Sequence, residues 1–228
     1  MPESFVAEDI QTTTFKLRTY KKLTDSKTIV KIYIEGDGHS FDGWGNPTSN
    51  PTPISNSMRA LAFNDLCPNV TYIGRPCQFV KDPICSPHDW TDARFSKEAV
   101  DASADAIKEI ANGRPVILIS YSGGAQIAGL LAVLHPEIKV KKLITIAGNL
   151  DHPGWAKMNQ LEPLRGSLDL NDYKDKYLQF SQTHFVAEND EVIPPILTKS
   201  FVKEVIIVPN ATHGNILNAV NGEFSSCD

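Results

Sequence analysis

The chain has 228 residues, 41% of them hydrophobic and 21% charged, with a net charge of −5. That length suits one α/β domain, residues 1–228, with a sizeable core, and the composition is ordinary for a soluble globular protein. The acidic balance argues against nucleic acid or an anionic membrane surface as partner, and no apolar run of about 18 residues marks an integral membrane segment.

Phe15 to Tyr20 reads as a first strand or an edge hairpin leading to a β-branched strand, Thr28 to Ile34. The polar stretch from Gly38 to Pro53 is a loop. Pro53 to Leu66 places Ile54, Met58, Leu61 and Ala62 at helical spacing. A short strand, Val70 to Ile73, precedes a long irregular loop from Arg75 to Phe95, and loops of that length are usually functional. Ser96 to Asn112 is an amphipathic helix, with Ala99, Ser103, Ala106, Ile107 and Ile110 on one face. Asn112-Gly113 and Pro115 stop it.

Residues 116–119 form the next strand and 124–134 the next helix, with Ser120-Tyr121-Ser122-Gly123-Gly124 between them. Strand 143–147 follows. Asp151 to Tyr173 is a modest excursion with one short helix. Strand 177–186, a short helix near 195–200, strand 204–208 and a C-terminal helix near 214–220 complete the order. Strands alternating with helices predict a largely parallel sheet with helices on both faces. The excursion at 151–176 is too short for a large lid.

A serine at a sharp strand-to-helix turn, flanked by small residues, can expose its hydroxyl as a nucleophile elbow does. Ser120 stands where the usual pattern has its first glycine. Two partners lie downstream. Asp190 falls in an acidic turn after a strand, in competition with Glu188 and Glu191; Asp151, after strand 143–147, is the outside rival. His213 lies on the loop after the next strand. Ser122, Asp190, His213 is the chain order of an α/β-hydrolase triad, and all three would project from one edge of a parallel sheet. The chemistry needs these types: a serine hydroxyl must lose its proton to a base, imidazole titrates near neutrality, and a carboxylate orients the imidazole.

The backbone N–H of Gly123 and that of Asp37, between Gly36 and Gly38 after strand 28–34, are the candidate oxyanion donors. Gly36, Gly38, Tyr121, Asp151 and His152 are candidates for the substrate pocket. Trp44, Trp90 and Trp155 could wall an acyl pocket or simply be buried. His184 reads as a core or sheet residue. No cofactor or metal is needed.

Cys77 and Cys85 sit close together in a proline-rich loop, where a disulfide would pin an irregular segment in an oxidising compartment. Cys67 and Cys227 are further candidates, and pairing cannot be read from sequence. No signal peptide is visible at the N-terminus.

With these residues in view, nearly the whole chain resembles an α/β-hydrolase. Tyr33-Ile34-Glu35-Gly36-Asp37-Gly38, Arg75-Pro76-Cys77-Gln78, Trp90-Thr91-Asp92-Ala93-Arg94-Phe95, Tyr121-Ser122-Gly123-Gly124 and Ala147-Gly148-Asn149-Leu150-Asp151-His152 also resemble a small bacterial subfamily of mostly uncharacterised, often exported hydrolases. The resemblance implies a single-domain α/β-hydrolase fold, an esterase-like activity without naming a substrate, and an exported or periplasmic protein whose leader has been removed; the short 151–176 stretch implies a small or no lid and favours a small acyl-ester substrate. A cytoplasmic protein is the alternative. A peptidase or amidase using the same three residues, and a non-catalytic binding protein on a hydrolase scaffold, stay open.

Overall fold

The computed structural model describes residues 1–223, 226 and 227. Eight strands form one sheet: β1 (Val6–Gln11), β2 (Lys16–Leu23), β3 (Val30–Ile34), β4 (Asn69–Ile73), β5 (Val116–Tyr121), β6 (Val140–Ile146), β7 (Gln182–Ala187) and β8 (Ile206–Val208). Their order is β1-β2-β4-β3-β5-β6-β7-β8. β1 and β2 form an antiparallel hairpin, and β2 pairs antiparallel with β4. From β4 to β8 every pairing is parallel.

The helices are α1 (Ser57–Asn64), α2 (Pro87–Trp90), α3 (Lys97–Ala111), α4 (Gly124–Leu134), α5 (His152–Met158), α6 (Lys174–Tyr177), α7 (Pro195–Phe201) and α8 (Ile216–Ala219), with a 3-10 turn at Leu170–Tyr173. Alternate residues of the central strands serve opposite faces, as the pleat requires. Val30, Ile32, Ile34, Val116, Leu118 and Leu143 pack on α3 and α4. Tyr33, Ile117, Ile119, Ile144 and Ile146 face α1 and α8. Strands covered on both faces are mostly apolar, which is why β3 and β5 read as runs rich in β-branched residues, interrupted at Lys31 and Ser120.

Local chemistry sets the helix ends. Ser96 caps α3 by accepting from the Ala99 N–H, and Asn112 ends it in the left-handed conformation at φ 46°. α4 is buried from Gly124 to Val133 and apolar but for Gln126, so it sits between sheet and neighbours rather than as a surface helix.

Three sequence expectations need correction. The strand expected over 177–186 begins at Gln182, because Tyr177 closes α6 and is fully buried there. The Arg75 to Phe95 loop contains α2, started by a Ser86–Asp89 capping box. The hairpin partner β1 carries a single buried side chain, Ile10, and its charged, exposed character is that of a protected sheet edge.

Two disulfides tie the fold, Cys67–Cys227 and Cys77–Cys85. They close segments of 160 and 8 residues in sequence separation. On chain entropy the long closure stabilises by about 5 kcal/mol and the short one by about 2.5 kcal/mol. Replacing both cysteines of the long pair with alanine is therefore expected to lower the unfolding free energy more than the same change in the short pair. Denaturant titration of the two double variants checks this, and an equal or reversed order contradicts it.

His184 is buried in β7, with Nδ1 2.8 Å from the Thr145 hydroxyl and Nε2 2.9 Å from Gln182 Oε1. Burial lowers its pKa from 6.5 to about 4. The unfolded chain thus takes up this proton at a higher pH than the folded one, so stability present above pH 6.5 is lost as pH falls towards 4. Between pH 7 and 5 this one group removes about 2 kcal/mol. Urea titrations at both pH values should show His184→Gln losing correspondingly less, whereas identical losses in both proteins contradict the assignment.

Candidate active site

Ser122 lies between β5 and α4 at φ 51°, a left-handed conformation that L side chains seldom adopt. Such a residue stores roughly 1–3 kcal/mol of strain and persists only where its surroundings over-determine it. Here the turn is held on both sides: the Ser122 N–H donates to Ile146 O at 3.1 Å, and the Ser122 carbonyl accepts from the Asn149 and Ala125 N–H groups at 3.0 and 3.1 Å.

The loop after β3 presses directly against this turn. A Cβ on Gly124 would stand 2.5 Å from Glu35 O, and one on Gly123 would stand 2.1 Å from Asp37 Oδ1. Neither approach is available to a larger residue. The same approach puts the Asp37 carboxylate against Gly123, the two residues whose backbone N–H groups are the expected oxyanion donors. Among the described residues neither N–H donates to another group, and the Gly123 N–H lies at the positive end of α4.

The ends of β7 and β8 supply the other two groups. Asp190 follows β7; its Oδ1 accepts from the Val192 and Ile193 N–H groups at 2.9 and 2.8 Å. Its Oδ2 lies 2.8 Å from His213 Nδ1, and His213 Nε2 lies 3.0 Å from Ser122 Oγ. A carboxylate only accepts hydrogen bonds, so Nδ1 carries the proton and Nε2 is left as acceptor for the serine hydroxyl. The Asp190 side chain is 1% exposed and that of His213 15%. The Tyr121 hydroxyl donates to His213 O at 2.8 Å, and its ring stands 5.1 Å from the imidazole. Burial and the Glu35 and Asp190 carboxylates raise the Tyr121 phenol well above its ordinary pKa, keeping it a donor.

Ser122 and His213 open into a cavity of about 450 Å³, a size suited to a small organic ligand. Gly38, Tyr121, Phe41, Met58 and Leu217 line it, and so do Arg94 and Trp155. The Trp155 indole donates to Val192 O at 2.8 Å, tying α5 to the Asp190 turn.

The other sequence candidates have other places. Gly36 lies behind the wall, where a Cβ would meet Tyr121 and Ser122 at 3.2 and 3.3 Å. Asp151 caps α5 through the Gly154 N–H and accepts from Asn171. His152 lies 3.0 Å from Leu168 O and against Phe95. Neither lines the cavity, because Asp151 is the N-cap of α5 and His152 its first residue, so the helix start takes both. Trp44 is 91% exposed and Trp90 is buried, so of the three tryptophans only Trp155 reaches the site. The rival acids are engaged elsewhere or exposed: Glu188 accepts from the Asn210 N–H, and Glu191 faces solvent.

A cluster of charges beneath the Asp37 loop was not singled out from sequence. The Asp37 carboxylate lies 3.3 Å from Arg75 Nη1 and 3.3 Å from Arg94 Nε. Arg75 also donates to Arg94 O. Both arginines are nearly fully buried. Burial lowers the Arg75 pKa, partly opposed by Asp37. Gln78, next to the Cys77–Cys85 bridge, donates to Gly36 O at 3.0 Å and accepts from the Arg75 N–H at 3.0 Å. The advance signals were the length of the irregular Arg75 to Phe95 loop and the two stretches, Arg75-Pro76-Cys77-Gln78 and Trp90-Thr91-Asp92-Ala93-Arg94-Phe95, that carry the subfamily resemblance.

No family model and no curated protein matches the sequence. Many solved structures match the fold. Est1E from Butyrivibrio proteoclasticus superposes with a TM-score of 0.61 at 14% identity, covering 94% of this chain and 96% of that one. XC6422 from Xanthomonas campestris, described as a serine hydrolase without lid, gives 0.58 at 14% identity over 100% and 99%. The Pyrococcus furiosus esterase Pf2001 gives 0.60 at 13% identity over 97% and 90%. With a mostly parallel eight-stranded sheet, helices on both faces and no lid over the cavity, this chain has the α/β-hydrolase fold.

Proposed function

We propose that the protein is a serine hydrolase that cleaves small carboxylic esters or thioesters by acyl transfer to water. The observation that carries this reading is the continuous chain from Asp190 through His213 to Ser122 Oγ, at 2.8 and 3.0 Å, opening into a cavity. Solved structures of the same fold described as esterases and serine hydrolases support it.

In this reading His213 Nε2 takes the hydroxyl proton as Ser122 Oγ attacks the carbonyl carbon. Asp190 holds the imidazole in the required tautomer and stabilises the imidazolium. The Gly123 and Asp37 N–H groups receive the developing oxyanion, each worth roughly 3 kcal/mol of transition-state stabilisation. His213 then gives its proton to the leaving alkoxide or thiolate. Water, deprotonated by the same imidazole, releases the acid and restores the serine. The Asp37 side chain takes no part in proton transfer; clamped by Arg75 and Arg94, it keeps its backbone N–H in place.

The two disulfides support an oxidising compartment, where such bonds persist.

Turnover of 4-nitrophenyl butyrate tests the assignment. Ser122→Ala is expected to lower kcat by roughly 10⁶-fold, and Asp190→Asn by roughly 10⁴-fold through the wrong imidazole tautomer. A folded Ser122→Ala protein that keeps more than a few per cent of the wild-type rate contradicts the reading.

A further inference from the structure

The Arg94 guanidinium is held in an unusual state for a buried cation. The residue is 4% exposed, yet it lines the cavity into which Ser122 opens. Nη1 donates to Thr91 O at 3.3 Å. Nε is sealed from solvent and makes no hydrogen bond, although it lies 3.3 Å from Asp37 Oδ2. Nη2 has no acceptor among the described residues. Buried guanidinium groups ordinarily have their donors met; Arg94 Nε, like the Nε atoms of Arg59 and Arg75, is shut away from any ligand, so Nη2 is the donor left for one.

The carboxylates around Arg94 already have partners. Asp37 is shared between Arg75 and Arg94. Glu35, also at the cavity, accepts from the Tyr72 hydroxyl at 2.6 Å and from the Gly36 N–H at 2.9 Å. Asp89 accepts from the Ser86 N–H and hydroxyl, and Asp92 from the Arg165 and Gly166 N–H groups. The rings of Phe95 and Trp155, with centroids 5.4 and 5.5 Å from the guanidinium carbon, hold Arg94 in place and keep water from it.

We infer that Arg94 is the receptor for a carboxylate on the substrate, so that the preferred substrate is a half-ester of a short dicarboxylic acid. This rests on the serine hydrolase reading and deepens it. The guanidinium is one residue contact from the Asp37 oxyanion donor, so a carboxylate on it sits near the scissile carbonyl. A neutral ester of equal size leaves the donor unmet and so binds worse. Phe41, Arg94 and Trp155 also border a second cleft of about 450 Å³ lined by Leu161 and Leu164. That cleft has room for an apolar leaving group on the far side of the guanidinium.

The test compares monoethyl glutarate with ethyl pentanoate, which differ by a carboxylate in place of a methyl group, with acid release followed in a pH-stat. Wild-type protein is expected to favour the half-ester by at least roughly 10-fold in kcat/KM, the discrimination one charge-assisted hydrogen bond supplies. The difference should lie mainly in KM and shrink with added sodium chloride. Arg94→Met should bring the ratio to one or below, and Arg94→Lys should restore part of it. A merely structural arginine would lower both rates by one factor and leave the ratio unchanged, which overturns the inference. So does a wild-type ratio of one or less, a result that needs no variant to fold. Hydrolysis of ethyl pentanoate without preference sinks this inference alone. No hydrolysis of either ester, with Ser122 also inert to a fluorophosphonate, sinks the hydrolase reading and this one with it.

Discussion

The left-handed turn at Ser122 depends on how closely the β3 loop can approach it. Gly123 and Gly124 leave no side-chain volume between the elbow and Glu35–Asp37, so two backbones that belong to separate strands meet at van der Waals distance. Everything proposed for the site follows from that contact. It forces Ser122 to φ 51°, pointing the hydroxyl out of the sheet edge. It also brings the Asp37 carboxylate against Gly123. The strain is local, and the parallel sheet absorbs it through the Ser122 bonds to Ile146 and Asn149.

The loop that makes this approach needs support of its own, because it is polar and leaves the sheet. Arg75, Arg94 and Gln78 provide it from below, and the Cys77–Cys85 bridge fixes the segment that carries two of them. Burying two guanidiniums on one carboxylate is costly unless something else is gained. A cation placed at the floor of a reactive cavity, with a donor left for a ligand, is a gain of that kind. On the proposed reading, charge selection and oxyanion geometry would share the same few residues.

Much of this was legible in the chain. The buried parallel strands showed as β-branched runs because both faces of each are covered, and the elbow showed because a serine between a strand and two glycines has few other uses. Chain order pointed to Asp190 and His213, with Glu188, Glu191 and Asp151 as rival acids, since strands of a parallel sheet deliver their C-terminal ends to one edge. The residues that escaped are those whose partners are distant in sequence. Cys67 meets Cys227 across the whole chain, Arg94 meets Asp37 across most of a lobe of loops, and neither contact has a local pattern. Asp151 and His152 misled for the opposite reason: a strand end followed by polar residues suits a site and a helix cap equally, and here α5 takes both. The β1 edge was invisible because an exposed edge strand needs only one apolar side chain.

The central claim is that Ser122 is a nucleophile whose reactivity comes from His213. Peptide mapping after exposure of the intact protein to a fluorophosphonate addresses this most directly. The account predicts one phosphonyl adduct, on the peptide containing Ser122, formed far more slowly in His213→Ala. An adduct on a different serine, or none on the folded wild-type protein, would contradict it.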